Sequence, residues 1–190
     1  LAKYPSWSAK EQNGNDLISN PEGTTFIWLS HNNQEVRSFL IALHKEIALT
    51  YDVDGIELDR IRYPGLTVGY DSASVALYQA ENGGALPPAT TTDANWMRWR
   101  ADKLVSFQAS AYDSLKAANP RLTVSNAPAH YASGINTYPA SYYSYLQDWW
   151  AWLNNGKLDA AQVQMYVSSG TLAGYIPSAL SGLSSTSKTK

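Results

Sequence analysis

YDVDGIELDRIRYP, residues 51 to 64, sets four acids and two arginines among fourteen positions, yet it keeps the alternation of a strand. Val53, Ile56 and Leu58 are its apolar members, and Glu57 and Asp59 alternate with the last two. A period of two sends these sets to opposite faces. Asp54, nearer the start, is placed to orient the turn with Gly55. In a barrel, strand side chains alternate between the surrounding helices and the lumen. If Ile56 and Leu58 pack outward, Glu57 and Asp59 point inward near the strand's C-terminal end, the face where barrel enzymes keep their chemistry.

The flanking sequence supports that placement. Asn32 with Glu35 reads as a capping box, and Val36, Phe39, Leu40, Leu43 and Ile47 recur at helical spacing, so a helix ending near Thr50 feeds the strand. Pro64 to about Asp93 is rich in Gly, Pro, Thr, Ser and Ala and reads as one long loop. A second helix is expected over Asn95–Ala118, with Leu104, Phe107, Ala111 and Leu115 on one face and Asn119-Pro120 as its stop. Leu122–Asn126 then reads as a strand, followed by a loop through His130 and Gly134. SYYSYLQDWWAWL, 141 to 153, reads as one helix closing at Asn155-Gly156. A third strand is expected over 160 to 166, and a weaker helix near 176 to 183.

Strands alternating with helices argue for an α/β fold of parallel β/α units. The long loops follow the strands, as at the catalytic face of a TIM barrel. Three strands are too few for the closed eight-strand form, which takes roughly 250 residues. The expectation is therefore a partial (β/α)8 TIM barrel, with residues 1–190 as the central portion of one domain and the first and last barrel strands outside it. Neighbouring sequence would be needed to close it. The chain opens at Leu1 rather than Met, which fits prior removal of a signal peptide or further N-terminal sequence.

Composition narrows the function. At 44% hydrophobic and 16% charged the chain can bury a core. A net charge of −2 with no long basic run gives no footprint for nucleic acid. No stretch approaches the roughly 20 apolar residues of a membrane span. Cysteine is absent, which excludes disulfides and thiolate metal sites. Seven Trp and thirteen Tyr against three Phe is a surplus of rings with polar handles, suited to half-wet sites such as sugar clefts, though cores use them too. His31, His44 and His130 lack metal-ligand spacing, so no metal is expected. No glycine-rich phosphate loop follows a strand, so no nucleotide cofactor is expected either.

Glu57 and Asp59 would stand about 6.6 Å apart at Cα, within the range over which carboxyl pairs serve glycoside hydrolysis. The competing reading makes Glu57, Asp59, Arg60 and Arg62 a structural ion network. Arg62 and Tyr63 follow at the strand end, where the arginine would hold a carboxylate ionised and the tyrosine donate to sugar hydroxyls; a salt-bridged rim is the alternative. Asn126 ends the second strand and reads equally as a substrate contact or a turn former. Of Trp149, Trp150 and Trp152, at least two should be core, which leaves Trp28, in a loop, as the better sugar-stacking candidate.

YDVDGIELDRIRYP resembles the signature strand of the bacterial glycosyl hydrolase-like family ten, glycosidase-like proteins with a TIM-barrel catalytic domain. FIWLSHNNQEVRSFL (26–40) is similar to the family's Trp-Leu loop leading to Pro-Glu-Val-Arg, and WMRWRADKLV (96–105) to its Trp-Arg helix. QDWWAWLNNGKLDAAQVQMY (147–166) is similar to its Gln-Asp-Trp to Pro-x-x-Tyr segment, where Gln164 and Tyr166 match strand-end polar and Tyr positions. The four matches run in order over roughly residues 4 to 170. Departures accompany them: Glu57 stands where members often carry His, Ser30-His31-Asn32 replaces an Asn-Pro-Gly turn, and Val163 takes a proline position.

The resemblance implies a secreted or cell-envelope glycoside hydrolase acting on a bacterial or extracellular polysaccharide, with peptidoglycan-type amino-sugar glycans favoured. The alternative is a non-catalytic carbohydrate-binding or extracellular scaffold protein, since fold does not fix function. On the hydrolase reading, cationic neighbours keep Asp59 ionised, while desolvation deeper in the lumen keeps Glu57 protonated as the acid. A partner carboxyl on a strand outside the chain is the other possibility. Arg62, Tyr63, Trp28, Asn126, Gln164 and Tyr166 are then the expected substrate contacts.

Overall fold

Ile56 and Val124 lie side by side in the core of a parallel sheet whose outer face is covered by helices. The structure is a computed structural model that describes residues 3–19, 25–129 and 139–189; the loop positions His130 and Gly134 lie outside them. In chain order, β1 (Leu17–Ser19) and β2 (Thr25–Ile27) form an antiparallel pair. α1 (Gln34–Thr50) follows and leads into β3 (Gly55–Asp59). α2 (Ser72–Glu81) and α3 (Ala94–Ala118) separate β3 from β4 (Thr123–Ala127). α4 (Ala140–Tyr145) and α5 (Trp149–Asn154) precede β5 (Ala160–Ala161), and α6 (Ser169–Leu180) follows it. β3, β4 and β5 are parallel in that order, so the expected arc of parallel β/α units is present.

The layer between sheet and helices is apolar. Leu104, Phe107, Ala111 and Leu115 of α3 are fully buried in the cluster that holds Ile56, Leu58 and Val124. α1 docks on α3 through Arg37, whose guanidinium lies 5.5 Å from the Phe107 ring and bonds to Ser106 and Ser110 Oγ at 3.2 and 3.3 Å.

The N-terminal ends of the strands are locked by polar contacts. Asp159 Oδ2 accepts from the Val124 N–H (2.9 Å) and pairs with Lys116 Nζ (2.6 Å), and its Oδ1 accepts from the Tyr112 hydroxyl (2.9 Å). Burial raises the Asp159 carboxyl, but Lys116, the Val124 N–H and Tyr112 outweigh it and hold the group below the usual carboxylate range. Gly55 is required here by space: a Cβ would stand 2.8 Å from the Thr123 carbonyl oxygen on the neighbouring strand.

Five local expectations are corrected. The long loop after β3 contains α2; Ala and Ser were weighed as loop composition, although Ala is the strongest helix former, and Asp71 caps the helix through Ser74 N–H at 3.1 Å. The expected helix over 141 to 153 is two helices broken at Leu146, which is left-handed (φ 57°). The cap of α1 is Asn33, not Asn32: its Oδ1 accepts from Glu35 and Val36 N–H, while the Glu35 carboxylate takes the Trp7 indole N–H instead. The third strand is regular only over Ala160–Ala161, then continues through single bonds, Gln162 N–H to Asn126 O and Gln164 N–H to Pro128 O, both 2.8 Å. The C-terminal helix, expected weakly near 176, starts earlier at Ser169. The β1–β2 hairpin was not foreseen. The left-handed cap at Gly156 is present (φ 67°), with Lys157 N–H to Trp152 O and Gly156 N–H to Leu153 O closing α5.

Candidate active site

β3 exposes Gly55, Glu57 and Asp59 and buries Ile56 and Leu58, so the two carboxylates share the face opposite the helices. Register extends that face across the sheet: Glu57 pairs with Ser125 and Asp59 with Ala127. Gln162 Nε2 reaches Ser125 Oγ at 3.5 Å, and Gln164 lies beyond it at the strand ends.

Asp59 is held asymmetrically. Its Oδ1 accepts from the Arg60 N–H (2.7 Å) and from Gln164 Nε2 (3.1 Å), whereas Oδ2 has only the Arg60 Nε at 3.8 Å among the described residues. The same Gln164 amide donates to the Ala127 carbonyl at 3.0 Å, so one side chain ties the ends of three successive parallel segments to Asp59. The side chain is 53% exposed, and Oδ2 is the less engaged of its two oxygens. An oxygen so presented, on a carboxylate fixed through its other oxygen, can attack, abstract a proton or stabilise a cation without first being reoriented.

The backbone turns sharply at this point. Arg60 is left-handed (φ 58°), a conformation costing a non-glycine residue about 1–3 kcal/mol and concentrated at functional sites. It brings the Arg60 N–H onto Asp59 and the Arg60 carbonyl under the Arg62 N–H (2.8 Å). Gln147, fully buried at the break between α4 and α5, donates Nε2 to Ile61 O (3.1 Å) and accepts from Ala129 N–H (2.8 Å). It fastens the loop after β3 to the loop after β4. The Arg62 guanidinium stacks on Tyr145, 5.0 Å from the ring centroid. Half-burial lowers the Arg62 pKa; Tyr145 opposes this, Arg60 adds to it, and Asp59 and Tyr166 oppose it again.

Behind this rim lies a buried polar layer. Asn32 Nδ2 donates to Tyr63 Oη (3.3 Å) and Ser74 Oγ (2.9 Å), and Ser30 Oγ to Asp71 Oδ1 (2.8 Å). Arg100 donates to the carbonyls of Leu66, Val68 and Thr91 at 2.6–2.7 Å, clamping the loop after β3 onto α3. Burial draws its pKa down to about 10.

Of the residues expected at the site, the structure gathers Asp59, Arg62, Gln164 and Tyr166, the last 89% exposed, at the C-terminal rim. Glu57 shares their face but is exposed, so the dry lumen assumed for it is not formed by these three strands. Tyr63 is placed differently from expectation: it is 2% exposed, burial and Asp71 push its pKa up, and its hydroxyl is taken by Asn32. Asn126 is 0% exposed and aligned with Leu58 on the helix side, where Nδ2 meets Gln108 Oε1 at 3.4 Å. Both are buried polar residues, not the rim positions expected of them. Trp28 is half-buried, with Phe26 as its ring partner at 5.5 Å. Trp149 and Trp152 are core, as expected, and Trp150 is half-buried. Gln147, Tyr145 and Arg100 were missed. Among the described residues no three His, Asp or Glu side chains gather as a metal site.

A family model described as Glycosyl hydrolase-like 10 matches residues 1–188. Glycosyl hydrolase YngK of Bacillus subtilis (strain 168) is similar, with 25% identity over 177 residues that take in 88% of this chain and 31% of that protein. The PgaB (BpsB) glycoside hydrolase domain from Bordetella bronchiseptica has a similar fold, at TM-score 0.62 and 15% identity, over 86% of this chain and 47% of that one. The chain thus spans under a third of the relative and about half of the solved structure. The likeness in fold identifies the arc of β/α units as part of a TIM barrel.

Proposed function

The chain belongs to the glycosyl hydrolase-like 10 family, and from that premise we propose that it contributes the catalytic strand of a glycoside hydrolase acting on a bacterial or extracellular polysaccharide. The observation that supports this most directly is the asymmetric hold on Asp59: one oxygen fixed by Gln164 and Arg60, the other less engaged, at the C-terminal rim of a parallel sheet.

Glycosidic cleavage passes through an oxocarbenium-like state and uses one ionised carboxylate with one protonated acid. Asp59 is proposed as the ionised group, acting through Oδ2. Glu57, on the same face one residue pair deeper, is proposed as the proton donor once further strands outside this chain close the lumen over it. Gln164 positions Asp59, and Arg62 and Tyr166 line the approach. The same reading places the protein outside the cell or in its envelope, where polysaccharide is met, with peptidoglycan-type glycans among its substrates.

The test is release of reducing ends from denuded peptidoglycan and other cell-surface glycans by the full-length protein and by Asp59→Asn. The expected result is turnover in the parent, lowered by several orders of magnitude in Asp59→Asn with sugar binding retained. Near-normal kcat in the variant would make the acidic strand structural. Binding by the parent without new reducing ends would instead support a carbohydrate-binding scaffold.

A further inference from the structure

Arg62 is positioned from three sides. Its N–H is bonded to the Arg60 carbonyl (2.8 Å), the preceding Ile61 carbonyl takes Gln147 Nε2 (3.1 Å), and the following Tyr63 N–H is bonded to Tyr145 O (3.0 Å). The guanidinium plane then rests on the Tyr145 ring, 5.0 Å from its centroid. The backbone on both sides and one face of the side chain are therefore fixed.

What the guanidinium does not have is an acceptor. Among the described residues no carboxylate or carbonyl takes any of its N–H groups, although every other half-buried or buried arginine on α1 and α3 spends its donors: Arg37 on Ser106 and Ser110, Arg98 on Asp102 and Asp148, Arg100 on backbone carbonyls. Asp59, the nearby carboxylate at the end of the preceding strand, is bonded instead to the Arg60 N–H and to Gln164. A guanidinium offers five donors in a rigid fork that matches a carboxylate bidentately, and fixing it beforehand removes most of the ordering entropy that binding would otherwise cost. Asp59 and the 89% exposed Tyr166 are among the groups acting on it electrostatically.

We propose that Arg62 is the receptor for a carboxylate carried by the glycan, so that this rim selects an acidic polysaccharide. The inference rests on the glycoside hydrolase reading and specifies its substrate. The carboxylate would come from a uronic acid ring or from the lactyl ether of a muramic acid, and the chemistry at Arg62 is the same for both. Arg60, its side chain 61% exposed beside Asp59, adds a second positive charge to the rim.

The test uses two pairs of probes against the full-length protein: a hyaluronan hexasaccharide and a peptide-free muramic acid tetrasaccharide, each beside its carboxyl-reduced neutral counterpart. Calorimetry gives the affinities. At least one acidic probe should bind about tenfold or more tighter than its reduced form, the scale of one charge-assisted bidentate contact. Whichever pair shows the preference identifies the source of the carboxylate. Arg62→Gln should abolish the preference, weakening the acidic probe about tenfold more than its reduced form; Arg62→Lys should keep part of it as a point charge.

Equal affinity for acid and reduced forms in both pairs overturns the proposal, and that comparison needs no variant. Equal weakening of both members by Arg62→Gln also overturns it, since loss of the stack on Tyr145 alone would act that way. Reducing-end release on the same probes is read separately. Preference without cleavage sinks the hydrolase reading and leaves the receptor standing; cleavage without preference does the reverse.

Discussion

His31 sits in the turn before α1, buried against the rings of Tyr63 (5.6 Å) and Phe107 (5.9 Å), with the Arg37 guanidinium 5.5 Å from the Phe107 ring and, among the described residues, no partner for its Nδ1. Burial first, and the charge of Arg37 second, bring its pKa down from 6.5 to about 4. The ring is therefore neutral in the folded protein at pH values where the unfolded chain already protonates it. The unfolded state binds more protons between about pH 4 and 6.5, so stability rises with pH across that window and falls on acidification. At 1.36 kcal/mol per pKa unit the whole effect is about 3 kcal/mol, of which about 2 is expressed by about pH 5. Urea unfolding of the protein and of His31→Leu at about pH 7.5 and about pH 5 isolates it, because the carboxylates titrate alike in both. The protein should lose about 2 kcal/mol more than the variant on acidification. Parallel losses, within about 0.5 kcal/mol, would refute the reasoning and mean that His31 is protonated in place or that the turn opens to water.

Two further outcomes follow from polar groups at opposite ends of the sheet. Arg100→Lys replaces a fork that serves the Leu66, Val68 and Thr91 carbonyls by a single ammonium, leaving at least one carbonyl of the loop after β3 without its donor; a loss of about 2–4 kcal/mol in chemical denaturation is expected. Asp159→Asn should cost about 1–3 kcal/mol near neutral pH. Because the Asp159 pKa is depressed in the fold, that difference is present above its unfolded value of 3.8 and should vanish as the pH falls through the lower folded value, which melting curves at successive pH values will show.

The alternation in β3 was legible because its contrast is extreme: Ile56 and Leu58 are the buried pair and the residues between them are exposed. α3 was legible for a related reason, since twenty-five residues of helical periodicity outvote any local ambiguity. Asn126 shows a signal that was available and not used. It stands two residues from Val124, so parity alone sends it to the helix side, where it lies fully buried. Gln147 is the opposite case. The apolar pattern through SYYSYLQDWWAWL runs on without a gap, and the chain breaks there because the Gln147 amide is claimed by Ala129 and Ile61 from elsewhere in the sequence. Only Asp148, which caps α5 through the Ala151 N–H, marked a restart. Tyr63 misled for the same tertiary reason: nothing near it in sequence reveals that Asn32 waits for its hydroxyl.

The two ends of the parallel sheet are fastened in different ways, and this bears on where function resides. At the N-terminal end the contacts are charged or steric and closed: Asp159 is satisfied by Lys116, Tyr112 and Val124, and Gly55 leaves no room for a side chain. At the C-terminal end the fastenings are neutral amides, Gln164 and Gln147, which hold Asp59 and the Ile61 carbonyl without neutralising either neighbouring charge. An amide fixes a carboxylate's direction while leaving its full negative charge, whereas a lysine in the same place would quench it. The arrangement orders the Asp59 carboxylate, with the Arg60 guanidinium 3.8 Å from its Oδ2, and leaves the Arg62 guanidinium without an acceptor among the described residues. These two charges are not paired with each other: Arg62 stacks on Tyr145 and Asp59 turns to Gln164, the arrangement from which the proposed roles of both residues are argued.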